Sequence, residues 1–427
     1  MDANKKPSAA FGGVGRAFSS RNYRVYFSGH ILSVQGVWIY RSAALWLAQD
    51  LTGSPAWLGA VGFAFLVPLF FLGLVGGAIS DRFGHRNTAF YASLLGIAVA
   101  VATAAATVSG LITPHLLVVL VLIQGTLAAF DMPARQALIP DLVERRNLSA
   151  AIAINSTTFN SAAFIGPAIG GILLTFGGAA AAFATYGLTL SWMCLALFRL
   201  RLAPRPASVG GKGLGSLFGD MADGFWYTVR QPEIRLVMLI YLTASMLLRP
   251  YVDLLPNVSV DVFDRGQQGF TSLLAAGGFG AFLVAITLAL RGRVQGLVRI
   301  LVGGVVSSAV FLIVFSWSPD FHLALLLLAI TSGLFVAATI ASQSLIQNVV
   351  DNAYRGRVVS FNVSLIMGLP AFGALAMGWI AEFIGVQWTL TGAGALILVA
   401  AAILSGKIMR RTSNYEVEPE TAAGPPA

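Results

Sequence analysis

Four charged side chains interrupt apolar stretches of the sequence, where little water is available to solvate them. They are Arg41, Asp131, Arg249 and Asp253. Charged residues within membrane-spanning segments are costly, and they commonly belong to a substrate path, a proton relay or a gate. Arg249 and Asp253 are four residues apart, hence on one helical face, and Pro250 between them allows a bend. These four residues are therefore the first candidates for function.

The charged residues occur in a chain whose composition is typical of a membrane protein. Of its 427 residues, 57% are hydrophobic and 11% are charged, and the mean hydropathy is +0.79. A membrane-spanning helix needs about 20 consecutive apolar residues. The sequence contains twelve such runs, near 25–48, 56–79, 88–110, 115–132, 150–174, 179–198, 234–256, 269–290, 298–316, 322–346, 359–381 and 387–406. We therefore predict an all-α membrane protein with twelve transmembrane helices.

The basic residues indicate how these helices are oriented. Of the 27 Lys and Arg residues, all but Arg41, Arg249 and Arg265 fall in the two termini and in alternate connections. Cytoplasmic connections are enriched in Lys and Arg, so both termini are predicted to be cytoplasmic. This distribution also explains the net charge of +9 without nucleic acid as a partner.

A polar break divides the runs into two groups of six. It begins with a Pro- and Gly-rich linker and continues with the pattern of an interfacial amphipathic helix. Residues at offsets of 207 or 208 match between the halves, including Arg41 with Arg249 and Asn155 with Asn362. Such a repeat favours a transporter with its site between the halves. The predicted domains are an N-terminal cytoplasmic segment, a six-helix bundle, a linker with its amphipathic helix, a second bundle and a cytoplasmic tail: 1–22, 23–200, 201–232, 233–408 and 409–427.

A glycine- and arginine-rich stretch, GGAISDRFGHR, follows the second run at residues 76–86. Its first two glycines let helices approach closely, and its charged residues can form hydrogen bonds and ion pairs across a helix bundle. The stretch resembles the signature hairpin of the major facilitator superfamily, which lies between the second and third spans. The residues concerned are Gly76, Gly77, Asp81, Arg82, Gly84 and Arg86.

A second motif, AAFIGPAIGG, lies in the fifth run at residues 162–171. Gly166, Pro167, Gly170 and Gly171 form a thin helix face that can kink and pack closely. The motif resembles the antiporter motif of exporters in the same superfamily, with Ala162 in place of the first glycine. Helix packing alone is the alternative explanation, because small residues are common at transmembrane interfaces.

The resemblance extends from about residue 21 to residue 407 and narrows to the transmembrane secretion effectors, which include siderophore exporters of the enterobactin type. Stretches such as FDMPARQALIPDLV, RPYVDLLP and RGRVVSFN occur in the order expected of that group. The resemblance implies the major facilitator fold, with two six-helix bundles, and proton-coupled efflux of a hydrophobic or amphipathic small molecule, drug-like or siderophore, by alternating access. It also implies a bacterial inner-membrane location. One departure is Val121, which replaces the arginine of the fourth-span motif, so the proton-coupling role of that arginine is not carried over.

The resemblance implies a role for Asp131 near the inner end of the fourth run. In the family such an aspartate pairs with basic residues of the hairpin, here Arg86, as an inner gate that also contains Arg135. Protonation of Asp131 would remove its charge and weaken this gate. The alternatives are that Asp131 carries the coupled proton directly, or that it forms a plain ion pair at the helix end.

The charged residues of the first and seventh runs are predicted to lie in the outer half of the membrane. From the start of its run, Arg249 is about 22 Å and Asp253 about 28 Å along the helix axis. Together with Arg41 they are candidates for substrate contact or an outer gate, with Asp253 as a possible proton carrier or an anchoring ion pair as alternatives. Five amides are candidates for hydrogen bonds to substrate or between helices: Gln35, Asn155, Asn160, Gln343 and Asn362.

Several classes of function are disfavoured by what the sequence lacks. It has no Walker-type phosphate loop, no nucleophile elbow and no His-x-x-x-His pair, so it is predicted not to be an enzyme or an ATP-driven pump. No cofactor or metal is expected. The expected partners are a small-molecule substrate, protons and the lipid bilayer, with the protein acting as a monomer. Uptake by the same fold and a non-transporting membrane receptor or scaffold are the two alternative functions.

Overall fold

The computed structural model describes residues 12–202, 214–291, 295–350 and 354–412. The first part of the predicted linker and most of the predicted tail lie outside these residues. The described chain is helical, without strands, and its two short non-α segments are a 3₁₀ turn at Arg145–Asn147 and a π-helical turn at Val258–Val262. The α-helices are α1 Gly12–Ala17, α2 Arg21–Thr52, α3 Pro55–Phe83, α4 His85–Val108, α5 Pro114–Leu142, α6 Leu148–Phe198, α7 Leu214–Arg230, α8 Pro232–Leu248, α9 Tyr251–Asn257, α10 Gly266–Arg291, α11 Leu297–Ser316, α12 Phe321–Val349, α13 Arg355–Ile384 and α14 Val386–Thr412.

Ten helical segments of the described residues are long and apolar enough to cross a membrane. The helix α2 is not among them, because polar residues such as His30, Gln35 and Arg41 interrupt its apolar sequence. The segment 145–198 counts once, although Gly178 within it has φ +68° and ψ −174°. Glycine accepts this backbone conformation readily, and it interrupts α6 between the two runs predicted at 150–174 and 179–198.

The helices form two compact units. The first contains residues 1–43, 72–112 and 126–211, and the second contains residues 44–71, 113–125 and 212–427. The unit boundaries fall inside α2, α3 and α5. The division into bundles 23–200 and 233–408 therefore stays a prediction.

The core of the first unit joins α2, α5 and α6. Tyr23, Tyr26, Leu138, Met193 and Leu197 are all fully buried in one cluster. These buried side chains pack the three helices together at the ends that are predicted to be cytoplasmic.

In the second unit, α12 packs against α10 and α11, while α8 packs against α13 and α14. The helix α8 ends at Leu248 and α9 begins at Tyr251, so the chain breaks at Arg249 and Pro250. This break lies at the bend that the sequence predicts from Pro250. The helix α7 lies where the sequence predicts an amphipathic helix, and it packs against α13, with the ring of Tyr227 stacked on that of Tyr354 at 4.6 Å.

Candidate functional site

The first unit contains a buried polar group centred on Arg135, which we call the Arg135 cluster: Ser33, Ser93, Asp131 and Arg135. The guanidinium Nε donates to Asp131 Oδ1 at 2.7 Å. Nη1 donates to Ser33 Oγ at 2.6 Å, and Nη2 donates to Ser93 Oγ at 3.1 Å. Only 9% of the Arg135 side chain and 19% of the Asp131 side chain are exposed. The cluster therefore joins α2, α4 and α5 through one cation.

An aromatic pair on α2 and a glycine on α3 lie next to the Arg135 cluster. On α2, the ring of Tyr26 stacks on that of His30 with centroids 5.4 Å apart, and the Tyr26 hydroxyl lies 3.4 Å from His30 Nδ1. On α3, Gly76 packs directly against the backbone carbonyl of Ala129, one turn before the cluster on α5. A side chain at position 76 would overlap that carbonyl. This glycine of the hairpin motif therefore sets the distance between α3 and α5.

The hairpin motif is almost entirely helical. Only Gly84, with φ +90°, separates α3 from α4, and this conformation favours glycine. Exposed Asp81 lies 3.9 Å from Nε2 of His85, the first residue of α4, and exposed Arg82 is the penultimate residue of α3. The turn therefore depends on one glycine.

The partner of Asp131 differs from the one suggested by the sequence. We expected Arg86, but Arg86 Nη2 donates to the carbonyl of Phe198 at 3.4 Å. Asp131 pairs with Arg135 instead, since the two side chains are one helical turn apart on α5 and meet without any movement of the hairpin.

The antiporter motif packs against α2. A Cβ on Gly166 would lie 2.5 Å from Trp38 Cβ, and one on Gly170 would lie 3.6 Å from Ile39 Cα. Pro167 and Gly171 are buried as well. Above Trp38, the Arg41 guanidinium lies 5.9 Å from the ring centroid, within the range of a cation–π contact. The small face of α6 thus positions the α2 segment that contains Gln35 and Arg41.

In the second unit, Asp253 lies beside a close helix contact that we call the α3–α13 seam: Gly59, Gly62, Ala374 and Gly378. Asp253 is only 2% exposed, and a Cβ on Gly62 would lie 2.8 Å from its carboxylate. Position 59 faces the carbonyl of Ala374 so closely that only glycine fits. The carboxylate of Asp253 therefore lies in closely packed surroundings, and a residue larger than glycine at position 59 or 62 would displace its neighbours.

Glu382 lies at one end of the α3–α13 seam. Its Oε2 accepts hydrogen bonds from Ser54 Oγ at 2.6 Å and from the amide of Ala56 at 3.3 Å. Ala56 is the second residue of α3, so this carboxylate caps the start of that helix from α13.

Arg249 also contacts α13, at a different position along that helix. Its Nη1 donates to the backbone carbonyl of Ile366 at 3.2 Å. Gly373 of α13 packs directly against the carbonyl of Met246, just before the break between α8 and α9. The chain on both sides of Arg249 is thus held to α13.

Several candidate polar residues are buried with atoms that have no hydrogen-bond partner among the described residues. These atoms are both amide atoms of Asn155, Oδ1 of Asn362 and Oε1 of Gln35. Gln343 is half-buried on α12. Such amides are suited to bind polar groups of a ligand. Within the part of the chain that the structure describes, no group of three or more His, Cys, Asp or Glu residues could hold a metal ion.

The structure adds residues that were not predicted from the sequence: Ser33, Ser93, Gly62, Gly373 and Glu382. Their partners are far away in the chain, with Ser33 and Arg135 separated by 102 positions and Ser54 and Glu382 by 328. Small residues near charged ones were the available signal. Such residues are too frequent in transmembrane helices to single out a pair.

The fold resembles that of a bacterial homologue of the human lysosomal transporter Spinster, with a TM-score of 0.73 and 15% sequence identity. The likeness covers 94% of this chain and 100% of the other. At this identity the likeness shows the fold alone. The family model that matches the chain belongs to the major facilitator superfamily, a class of multi-pass membrane transporters.

The chain belongs to the transmembrane secretion effector family, whose model matches residues 16–426. It is 25% identical to the staphyloferrin A transporter of Staphylococcus aureus, over 86% of this chain and 91% of that protein. It is 26% identical to the multidrug efflux pump Tap of Mycolicibacterium fortuitum, over 84% of this chain and 88% of that protein. These findings identify a membrane transporter rather than an enzyme, and they confirm the family predicted from the motifs.

Proposed function

We propose that this transporter expels a hydrophobic or amphipathic small molecule, drug-like or siderophore, in exchange for protons and by alternating access. The observation that carries the proposal is the likeness to Tap, a multidrug efflux pump by name, over 84% of this chain. The close packing of Gly166 and Gly170 on α2 supports export, because these residues form the face that resembles the exporter motif.

We further propose twelve transmembrane helices in two six-helix bundles, in the bacterial inner membrane and with both termini cytoplasmic. Counting α2 as a span, and 145–198 as two spans separated at Gly178, raises the ten candidate segments to twelve. The concentration of Lys and Arg in alternate connections supports the orientation. The protein is proposed to act as a monomer, without cofactor or metal.

In this proposal the charged residues form two gates. The Arg135 cluster and the hairpin motif belong to the inner gate. Arg41, Arg249 and Asp253 belong to the outer gate or substrate path, together with the α3–α13 seam. Asp131 and Asp253 are the carboxylates proposed to take up protons, since protonation removes the charge that each contributes.

Transport into inverted membrane vesicles tests both direction and coupling. With an acidic lumen, a proton antiporter should accumulate ethidium in the lumen, and a protonophore should abolish the accumulation. An uptake symporter of the same fold would move the dye out of preloaded vesicles under the same gradient. No protein-dependent flux of any amphipathic dye in either direction would contradict a transport function of this kind.

Variants of the two carboxylates identify which one takes part in coupling. Asp131→Asn and Asp253→Asn should each reduce proton-driven accumulation at least tenfold if the residue carries the proton, while dye binding is preserved. Asp50→Asn is the matched control, because Asp50 is exposed at the end of α2 and has no proposed role. Full proton-driven transport in one of the two variants would exclude that residue as the carrier.

A further inference from the structure

Proline residues inside helices create a recurring requirement in this chain. A proline has no amide hydrogen, so the carbonyl four residues before it loses its helical hydrogen bond. In the hydrocarbon region little water is available to replace that bond, and a neighbouring helix commonly does so. The described helices contain Pro68, Pro133, Pro140, Pro167, Pro256 and Pro370, and Pro250 lies between α8 and α9. A contact from a distant part of the chain to the released carbonyl is described for four of them: Pro68, Pro133, Pro250 and Pro370.

In three of these four cases a glycine covers the released carbonyl. Gly125 lies nearest to the carbonyl of Phe65 and also beside that of Ala64, which Pro68 releases. Gly76 lies against the carbonyl of Ala129, which Pro133 releases. Gly373 lies against the carbonyl of Met246, which Pro250 releases. Without a side chain, each glycine lets its own backbone approach the carbonyl and make a weak Cα–H···O contact.

The fourth case is different. Pro370 releases the carbonyl of Ile366, and that carbonyl accepts a hydrogen bond from Arg249 Nη1 at 3.2 Å. A charged donor gives a stronger bond than a glycine contact, so it ties the α8–α9 break more firmly to α13.

The two contacts between these helices are reciprocal. Residues 366, 370 and 373 lie on one face of α13, because their spacings are four and three. Residues 249 and 250 lie three and four positions after residue 246, so both lie on its side of the chain. The glycine of α13 thus covers the carbonyl released at the α8–α9 break, and the arginine at that break covers the carbonyl released in α13.

We propose that Arg249 is a positioning residue that replaces the missing amide of Pro370, and that it couples the α8–α9 break to α13 so that both move as one element during transport. The inference deepens the proposed outer gate and rests on transport only for its second measurement. It assigns to Arg249 a backbone partner on the gate helix rather than a substrate group.

A double-mutant cycle in the full-length, detergent-purified protein tests this inference without any substrate. Arg249→Gln should lower the Tm by about 2–3 °C, the scale of a lost hydrogen bond to a charged donor in a protein of this size. Pro370→Ala restores an amide to Ile366, so in that background Arg249→Gln should lower the Tm by less than about 1 °C. Pro370→Ser supplies the same amide by a second route.

Two controls isolate the effect. Pro68→Ala removes a proline whose released carbonyl faces Gly125, so it should not rescue Arg249→Gln. Arg265→Gln removes a cation that lies over the ring of Phe321 at 5.3 Å, and its effect should not depend on Pro370. Equal losses of Tm from Arg249→Gln in both backgrounds would overturn the proposal. Failure of both Pro370 variants to fold while Arg249 is present would overturn it as well.

Ethidium efflux provides the second measurement. Arg249→Gln should reduce the rate about tenfold, and adding Pro370→Ala should bring it to within threefold of Pro370→Ala alone. If Arg249 instead binds substrate, the rate stays low in the double variant while the Tm cycle shows no coupling. A protein that transports no dye would contradict the proposed function but leave the Tm cycle decisive.

Discussion

Replacing Asp131 with Asn removes one charge from a buried pair and leaves the Arg135 guanidinium with a neutral neighbour. At the 2.7 Å separation of Nε and Oδ1, the Coulomb attraction is about 6 kcal/mol for an effective dielectric constant of roughly 20. Burial of both groups offsets part of this attraction. Loss of one partner from a buried pair commonly costs about 3–5 kcal/mol, because the other charge stays buried without compensation.

The lower end of that range is expected here. Ser33 and Ser93 still accept hydrogen bonds from Nη1 and Nη2, and the Asn oxygen can accept one from Nε. A loss of about 3 kcal/mol corresponds to a Tm lowered by roughly 3 °C in a chain of 427 residues. Scanning fluorimetry of the detergent-purified protein measures this change directly.

The chain offers a matched control in Glu144 and Arg146. Their side chains are also 2.7 Å apart, but they are 67% and 77% exposed. Solvent-exposed pairs contribute little to stability, so Glu144→Gln should change the Tm by less than about 2 °C.

The double variant with Arg135→Gln decides between burial of an unpaired charge and simple loss of contacts. Once the cation is removed, burial of an unpaired charge predicts that Asp131→Asn raises the Tm, because it removes the buried carboxylate that has lost its cation. Simple loss of contacts predicts no further change. Additive losses from the two substitutions, or a loss no larger than that of the exposed control, would refute the reasoning.

Two further predictions concern helix contacts. Gly76→Ala should reduce the yield of monodisperse protein in size-exclusion chromatography severalfold, because the methyl group overlaps the carbonyl of Ala129. Gly77→Ala should not reduce it, because a Cβ at position 77 meets no atom within 4 Å. Equal yields of the two variants would contradict the packing argument. Glu382→Ala removes the cap from Ser54 and the start of α3, so amide exchange at residues 56–58 should accelerate about fivefold in hydrogen–deuterium exchange. Unchanged exchange would show that the cap has no effect.

The parts of the fold that the sequence predicted are those set by local physics. Long apolar runs give helices because the membrane leaves backbone groups no other partner, and ten of these segments are present in the described residues. The break at Pro250 follows from its missing amide, and the tight turn at Gly84 follows from a conformation that suits glycine.

The partners of the charged residues were not predictable in the same way. Arg135 contacts Ser33 and Ser93, which are 102 and 42 positions away, and a serine has no sequence signal that marks it as the partner of an arginine. The pairing of Asp131 with Arg135 was readable from their spacing of four. The family resemblance instead suggested Arg86, and in the structure the partner one turn away on the same helix takes precedence.

The hydrogen-bond partners of Arg135 and Arg249 bear on the chemistry of the substrate. Arg135 uses all three guanidinium nitrogens in bonds to protein, and Arg249 donates to a backbone carbonyl. An anionic substrate group that displaced one of these partners would leave a buried acceptor unsatisfied, at a cost of about 1–3 kcal/mol. The amides of Asn155 and Asn362 have unpartnered atoms among the described residues and bind neutral polar groups without such a loss.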